Sequence, residues 1–223
     1  MSEHSWPFRM GPFFDHVANQ YDGVQVSNID DGKGYYVAIA EPIEPTDDVV
    51  DVWSIGAGTG LDLVSILKRI PNARVNCVDV APKMLERLRN RFAKTTVDIR
   101  TRVGSFLDLD FAPGCCDYLL ASATLHHFTH DEKSALLPRL ARALKPGGKL
   151  VVGDLYVDET EAAIRLADYE RCLAEGYDVK SGGYHIDIPM TEVHERELLA
   201  AAGFSNVEVI WRSSNYSIIV AMV

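Results

Sequence analysis

The sequence predicts an α/β fold with a doubly wound, mainly parallel sheet. Between residues 49 and 155, apolar strand-like segments alternate with amphipathic helical patterns, which is typical of βαβ units. Three of these five segments are almost wholly apolar, as expected for parallel strands buried on both faces. The first segment ends in Gly56, Gly58 and Gly60, which form a turn into the next helix.

The five strands of this region are predicted at residues 49–55, 74–78, 97–103, 118–122 and 150–155. The helix after Gly60 stops before Pro71, which cannot continue it. A second helix opens with Pro82, a residue suited to the first helical position. A third begins at Thr129, which forms a capping box with Glu132, and ends at the turn formed by residues 145–148.

The flanking regions are less regular. Residues 1–45 are predicted to be irregular, with one short helix at 15–20, and to contribute core or lid contacts. They are rich in aromatic side chains: Trp6, Phe8, Phe13, Phe14, Tyr21, Tyr35 and Tyr36. After residue 155 we expect a helix at 159–175, a loop at 176–189 and a helix at 191–202. Strands at 207–211 and 216–222 follow, joined by a turn short enough for a hairpin.

Bulk composition narrows the class of protein. A chain of 223 residues with 47% hydrophobic residues can form one domain with a sizeable core. The net charge of −10 makes nucleic acid an unfavourable partner. We expect a cytoplasmic protein without signal peptide or membrane span. The four cysteines form no C-x-x-C pair, so reduced thiols and no metal site are predicted.

The functional crevice is predicted at the carboxyl ends of the strands, where open α/β sheets bind ligands. Gly56 and Gly58 lack a Cβ and allow a ligand to approach the backbone closely. Asp79 ends the second strand, where a carboxylate can accept hydrogen bonds from both hydroxyls of a ribose. A dinucleotide fingerprint would need glycine at position 61, which is Leu61, so a nicotinamide-dependent oxidoreductase is disfavoured.

Six segments together resemble the class I S-adenosylmethionine-dependent methyltransferases. They are FFDHVANQYD (13–22), SIGAGTG (54–60), CVDVAPKML (77–85), VGSFLDLDF (103–111), CDYLLASATLHHF (116–128) and LKPGGKLVVGD (144–154). The resemblance implies a Rossmann-like seven-stranded sheet in which the C-terminal hairpin supplies one antiparallel strand. It also implies one methyltransferase domain over residues 1–223. Its parts are a lid at 1–45, a cofactor-binding core at 46–155, a cap insertion at 156–190 and a C-terminal helix and hairpin at 191–223.

The same resemblance implies S-adenosylmethionine as cofactor and S-adenosylhomocysteine as product, and it implies their contacts. The residues expected at the methionine end are Gly56, Ala57, Gly58, the backbone of Ala121, nearby His126, and Tyr21 over the carboxylate. Asp79 is expected to hold the ribose. Those expected around the adenine are Val80, Met84, Ser105 and Phe106.

Two positions depart from the family pattern. Ser54 stands where the family usually has an acidic residue, and Ser105 stands where it usually has aspartate. A hydroxyl is a weaker partner for the adenine amine than a carboxylate is. We therefore expect weakened or shifted cofactor binding, although Asp51 or Asp62 could compensate for Ser54.

Methyl transfer needs an aligned nucleophile and exclusion of water, and a general base only where the nucleophile keeps its proton. No catalytic residue is assigned; the candidates are His126, His185 and Tyr184. The favoured function is methylation of a small-molecule acceptor by a monomer or homodimer. Two alternatives stay open: a tRNA wobble-uridine modification enzyme of the carboxy-S-adenosylmethionine synthase type, and a non-catalytic protein that retains the fold.

Overall fold

A computed structural model describes residues 7–223, so the prediction for Trp6 lies outside the described residues. In chain order the first elements are β1 (Phe8–Arg9), α1 (Met10–Val17), α2 (Tyr21–Asn28), α3 (Gly32–Ala38), β2 (Asp51–Ile55), α4 (Leu63–Ile66), β3 (Arg74–Asp79), α5 (Pro82–Phe92) and β4 (Asp98–Val103). The remaining ones are β5 (Cys116–Ser122), α6 (His130–Ala143), β6 (Leu144–Leu155), α7 (Glu159–Ala174), β7 (Tyr184–His185), α8 (Glu192–Ala201), β8 (Ser205–Arg212) and β9 (Tyr216–Met222).

The main sheet has seven strands in the order β4-β3-β2-β5-β6-β9-β8. Strands β2 to β6 pair in parallel, and β9 runs antiparallel to both β6 and β8. The predicted fold class is therefore confirmed, including the single antiparallel strand from the C-terminal hairpin. The order reverses between β2 and β5, which places the topological switch point beside the glycine turn.

Helices cover both faces of this sheet and bury two large apolar clusters. Pro82 stands at the start of α5 as predicted. The capping box of Thr129 and Glu132 at α6 is also present. None of the helices among the described residues is both long and apolar enough to cross a membrane.

The N-terminal region is more regular than predicted, since residues 10–38 form the three helices α1, α2 and α3. Each has eight residues or fewer, so none offers enough turns for a helical period to stand out. Asp31 caps α3 from a left-handed backbone conformation, with φ of 55°. Two further bounds differ: α4 is a single turn, and β6 begins at Leu144 instead of residue 150.

A second, two-stranded sheet joins the N-terminal region to the loop before α8. Strand β1 pairs antiparallel with β7, with Phe8 opposite His185 and Arg9 opposite Tyr184. The backbone N–H of Met10 also donates to the carbonyl of Gly183 at 3.1 Å. These bonds hold α1 and the 183–190 loop together over the carboxyl ends of the main strands.

A buried ion pair joins α6 to α8. The Nζ of Lys133 lies 2.6 Å from Oε2 of Glu195, and the two side chains are only 2% and 1% exposed. The other carboxylate oxygen, Oε1, has no hydrogen-bond partner among the described residues. Removal of one member of such a pair leaves an uncompensated buried charge.

We predict that Lys133→Met lowers the free energy of unfolding by about 3–5 kcal/mol, because Glu195 then stays buried without a counter-charge. The double variant Lys133→Met/Glu195→Leu should recover most of that loss. Urea unfolding of the three proteins measures the difference. A single variant within 1 kcal/mol of the parent would contradict the prediction.

Candidate active site

Two adjoining cavities open at the carboxyl ends of the parallel strands. The first, with its mouth, encompasses about 580 Å³. It is lined by Met10, Phe14, Tyr21, Gly56, Gly58, Asp79, Val80, Met84, Ser105, Phe106, Ala123, Thr124, His127, Phe128, Ser181 and Gly182.

The glycine turn after β2 is shaped by two close approaches. Gly56 has φ of +59°, and a Cβ there would lie 1.8 Å from Oγ1 of Thr124. A Cβ on Gly60 would lie 2.9 Å from Cγ of Leu88. Gly56 therefore lets the loop after β5 approach the turn, whereas Gly60 lets α5 pack against it.

The Asp79 carboxylate joins the turn to the end of β3. Its Oδ2 accepts a hydrogen bond from the backbone N–H of Gly58 at 2.8 Å, and Oδ1 accepts one from Ala81 at 2.8 Å. Burial raises the pKa of Asp79, and these two N–H groups oppose the rise. Because each carboxylate oxygen can accept two bonds, one acceptor position on each stays available to a ligand.

Most of the predicted cofactor contacts lie around the first cavity: Tyr21, Gly56, Gly58, Asp79, Val80, Met84, Ser105 and Phe106. Ala57 lies in a small recess that adjoins it and also contains Asp62. Ala121 is fully buried in the core, and Ala123 and Thr124 border the cavity in its place. His126 borders the second cavity and not the first.

Helices α1 and α2 cover the first cavity, and one polar cluster holds α2 in place. The Oγ1 of Thr59 donates to Oδ1 of Asp22 at 2.5 Å. Arg91 on α5 pairs with the same Asp22 carboxylate and also donates to the Thr59 carbonyl at 3.0 Å. The start of α2 is thereby fixed to the glycine turn beneath it.

The second cavity, with its mouth, encompasses about 920 Å³. Its lining residues are Phe13, Phe14, Val17, Gln20, Tyr21, Val24, Gln25, Asn28, Ala123, His126, His127, Leu155, His185, Asp187, Asn215 and Tyr216. None of these described lining residues is a lysine or arginine. Phe14, Tyr21, Ala123 and His127 border both cavities.

A cluster of three histidines and one aspartate forms the polar wall of the second cavity. His126 Nε2, His127 Nδ1 and His185 Nε2 lie 3.6, 3.3 and 3.8 Å from Oδ1 of Asp187. Burial alone would lower the pKa of His126, but the adjacent Asp154 carboxylate raises it above its ordinary value. Burial lowers the pKa of His185 to about 4.

Sequence reasoning missed several of these residues. Asp187 and Asn215 come from loops with no local motif, so no sequence signal pointed to them. Tyr184, a predicted catalytic candidate, lines neither cavity. Its ring packs instead against Tyr177, with the centroids 5.7 Å apart, and beneath the Arg9 guanidinium.

Ser54 and the two residues that could compensate for it, Asp51 and Asp62, lie in different parts of the structure. Ser54 is buried within β2 and borders neither cavity. Asp51 lies at the opposite end of β2, paired with Arg74 and Lys145. Asp62 borders the recess beside the glycine turn, so Asp62 is the one placed to act near a ligand.

Comparison with known proteins agrees with this geometry. Residues 52–148 match the family model described as a methyltransferase domain. Carboxy-S-adenosyl-L-methionine synthase of Campylobacter fetus subsp. fetus is 25% identical over 179 residues, which cover 76% of this chain and 76% of that protein. Malonyl-(acyl-carrier protein) O-methyltransferase of Acetivibrio thermocellus is 30% identical over 103 residues, which cover 45% of this chain and 34% of that protein.

Solved structures show the same fold. The complex of DhpI with SAH superposes with a TM-score of 0.70 at 19% identity and covers 95% of this chain and 94% of that chain. Human N-acetylserotonin methyltransferase in complex with SAM has a TM-score of 0.57 at 19% identity, with 94% of this chain and 54% of that chain covered.

The sheet order and the family match thus agree with a Rossmann-like methyltransferase domain. Residues 52–148 match a methyltransferase domain, and the chain shares its fold with S-adenosylmethionine-dependent methyltransferases. The cofactor of that class is S-adenosylmethionine, and its product is S-adenosylhomocysteine. The first cavity fits this cofactor, because the glycine turn leaves backbone exposed and the Asp79 carboxylate keeps free acceptor positions beside it.

The buried Asp62 carboxyl makes the free energy of unfolding depend on pH. Burial raises the pKa of the Asp62 carboxyl from its ordinary value of 3.8 to about 6. The folded protein therefore binds more protons than the unfolded chain between about pH 4 and pH 6. The free energy of unfolding should fall as pH rises through that window, by up to about 3 kcal/mol at 1.36 kcal/mol per pKa unit.

We predict that Asp62→Asn is more stable than the parent at pH 7 and similar to it at pH 4, because the amide carries no buried charge. Urea unfolding between pH 4 and pH 8 tests this. Asp48→Asn, at an exposed position, is the control and should track the parent throughout. A constant difference between Asp62→Asn and the parent across this range would contradict the assignment.

Proposed function

We propose that this enzyme methylates an uncharged small molecule held in the second cavity, with the cofactor in the first. The single observation that carries this is the shared wall. Phe14, Tyr21, Ala123 and His127 border both cavities, so a donor in one would face an acceptor in the other. Contact between donor and acceptor is the main requirement of direct transfer.

The proposed cofactor contacts are those predicted from the family. Asp79 would accept from the ribose hydroxyls, and the turn at Gly56–Gly58 would lie against the methionine part. Ser105 and Phe106 would border the adenine together with Val80 and Met84. Ala123 and Thr124 would replace Ala121 at the end of β5, because they reach the cavity surface.

The lining of the second cavity indicates the kind of acceptor. Aromatic rings of α1 and α2 form one side, and polar groups of Gln25, Asn28 and Asn215 form another. Such a surface suits a partly apolar molecule with hydroxyl or carbonyl groups. An anionic acceptor would find no lysine or arginine among the described lining residues, and its burial would then be costly.

Bound S-adenosylmethionine supplies an activated methyl group on a sulfonium. The chain would contribute alignment and a dry site, since α1 and α2 cover both cavities. His126 or His185 needs to take up a proton only if the nucleophile of the methyl acceptor is still protonated. Incubation with a panel of hydroxylated acceptors, followed by quantification of S-adenosylhomocysteine, tests turnover. If the cofactor binds but no acceptor yields that product, the non-catalytic alternative gains support.

The second candidate, a carboxy-S-adenosylmethionine synthase acting in tRNA modification, is favoured by relatives such as the carboxy-S-adenosyl-L-methionine synthase of Campylobacter fetus. The described lining residues include no arginine, which argues against it, because a transferred carboxylate would lack the bidentate partner that a guanidinium provides. Mass spectrometry of ligands that co-purify with the protein distinguishes the two. A species heavier than S-adenosylmethionine by a carboxylate would overturn our proposal.

We also propose a cytoplasmic location, a monomeric or homodimeric state, and a division of residues 1–223 into lid, core, cap and hairpin. We propose that nucleic acid is not a partner, because the net charge of −10 disfavours contact with phosphate groups.

We predict that Asp79→Asn weakens S-adenosylmethionine binding at least 10-fold. A carboxylate hydrogen bond is worth about 1.5–3 kcal/mol, and 1.4 kcal/mol equals a factor of ten. Titration calorimetry measures the dissociation constant. Asp131→Asn, whose side chain is fully exposed on α6, is the matched control. Unchanged cofactor binding by Asp79→Asn would place the cofactor elsewhere.

We predict that Ser105→Asp tightens cofactor binding, since a carboxylate is a stronger acceptor for the adenine amine than a hydroxyl. Aspartate also keeps the local cap, in which Ser105 Oγ accepts from the Leu107 N–H at 3.2 Å. Ser134→Asp adds the same charge at an exposed position and should leave the calorimetric affinity unchanged. Equal or weaker binding by Ser105→Asp would show that the adenine does not lie against this residue.

A further inference from the structure

We propose that His126, His127 and Asp187 bind a divalent transition-metal ion at the wall of the second cavity. One potential ligand atom from each of these three residues lies within 4.8 Å of the other two. Two imidazoles and one carboxylate suit Zn²⁺ and Fe²⁺, and a three-ligand set leaves coordination positions open. The inference rests on the proposed function, since it adds a metal to the same acceptor site.

The distances fit a shared ion. Bonds of about 2.0–2.1 Å in tetrahedral geometry place two ligand atoms about 3.3 Å apart. The observed separations from Asp187 Oδ1 are 3.3 Å to His127 Nδ1 and 3.6 Å to His126 Nε2. His127 Nδ1 also lies 3.3 Å from the carbonyl oxygen of Ile186, so this nitrogen would exchange that hydrogen bond for the ion.

Asp187 supplies an independent observation. Its Oδ1 atom is buried and has no well-aligned hydrogen bond among the described residues, although imidazole nitrogens of His126, His127 and His185 lie within 3.8 Å of it. A buried carboxylate oxygen without a well-aligned donor costs free energy. A cation between Asp187 and the rings would remove that cost.

His126 is oriented as a metal ligand usually is. Its Nδ1 lies 2.5 Å from Oδ1 of Asp154. The Asp154 carboxylate also accepts from the backbone N–H groups of Leu125, His126 and Leu155, so it acts only as an acceptor. Nδ1 therefore carries a hydrogen, which leaves Nε2, 3.6 Å from Asp187 Oδ1, as the nitrogen that a metal ion would bind in place of a proton. This carboxylate–histidine arrangement is typical of metal sites.

The backbone around the cluster is fixed in the same way. The N–H of Ile188 donates to the His126 carbonyl at 2.8 Å, which holds the Asp187 loop against the turn after β5. His185 flanks the cluster and stacks on Phe13, with ring centroids 3.8 Å apart. Because all four cluster residues border the second cavity, an ion has an entry path and its open positions face the acceptor.

A metal here would favour an acceptor with a hydroxyl group. A hydroxyl oxygen that coordinated the ion would lose its proton more easily, and that proton would pass to water at the mouth of the cavity. The oxygen would then bond to the methyl carbon while the carbon–sulfur bond broke with its electron pair kept by sulfur. The products are the methyl ether and neutral S-adenosylhomocysteine.

The test uses full-length protein freed of metal with a chelator and then dialysed against Zn²⁺, with bound zinc measured by mass spectrometry. We expect about one zinc per chain, and a Co²⁺-substituted sample with visible absorption typical of low coordination number. Asp187→Asn and His126→Asn should each bind zinc at least 10-fold more weakly, and Asp154→Asn about 10–100-fold more weakly. His130→Asn, with a side chain 66% exposed, is the matched control.

S-adenosylmethionine calorimetry on each sample checks folding and separates the two proposals. Asp187→Asn should keep the parental cofactor affinity, because Asp187 does not border the first cavity. Cofactor binding without zinc binding would overturn the metal site alone. If the parent protein binds zinc and Asp187→Asn does not, but neither protein binds S-adenosylmethionine, the proposed function alone is overturned. Zinc binding that survives Asp187→Asn would also overturn the site.

Discussion

The bonds that Asp79 makes to Gly58 and Ala81 are the constraint on which the site depends. They fix the glycine turn after β2 to the end of β3, so the two halves of the crevice keep one spacing. The Thr59–Asp22–Arg91 cluster extends the same connection to α2. Strand ends, turn and cover are thus parts of one continuous hydrogen-bonded unit.

The parts of this unit that the sequence could reveal are those encoded by neighbouring residues. The apolar segments predicted all seven strands of the main sheet, and glycine spacing with Asp79 predicted where the crevice lies. Ala121, which the resemblance implies as a cofactor contact, is buried in the core. The chain leaves the sheet after Ser122, and Ala123, with φ of 49°, begins the segment that borders the first cavity.

The rest depends on contacts between distant segments, which carry no local pattern. His126 looked like a cofactor contact because it follows β5, but its bond to Asp154 on β6 turns the ring toward the other cavity. The histidine cluster brings together residues 126–127 and 185–187, so no ligand spacing along the chain predicted a metal. The short N-terminal helices were missed for a similar reason, since they depend on packing against other elements: α1 contacts α5 and β7, α2 contacts α3, and α3 contacts β8.

The partition between the two cavities has a kinetic consequence. Phe14 and Tyr21 both belong to it, and they lie on α1 and α2. With donor and acceptor placed as we propose, displacement of these two helices would widen both cavities together. The release of one product would then be coupled to the release of the other.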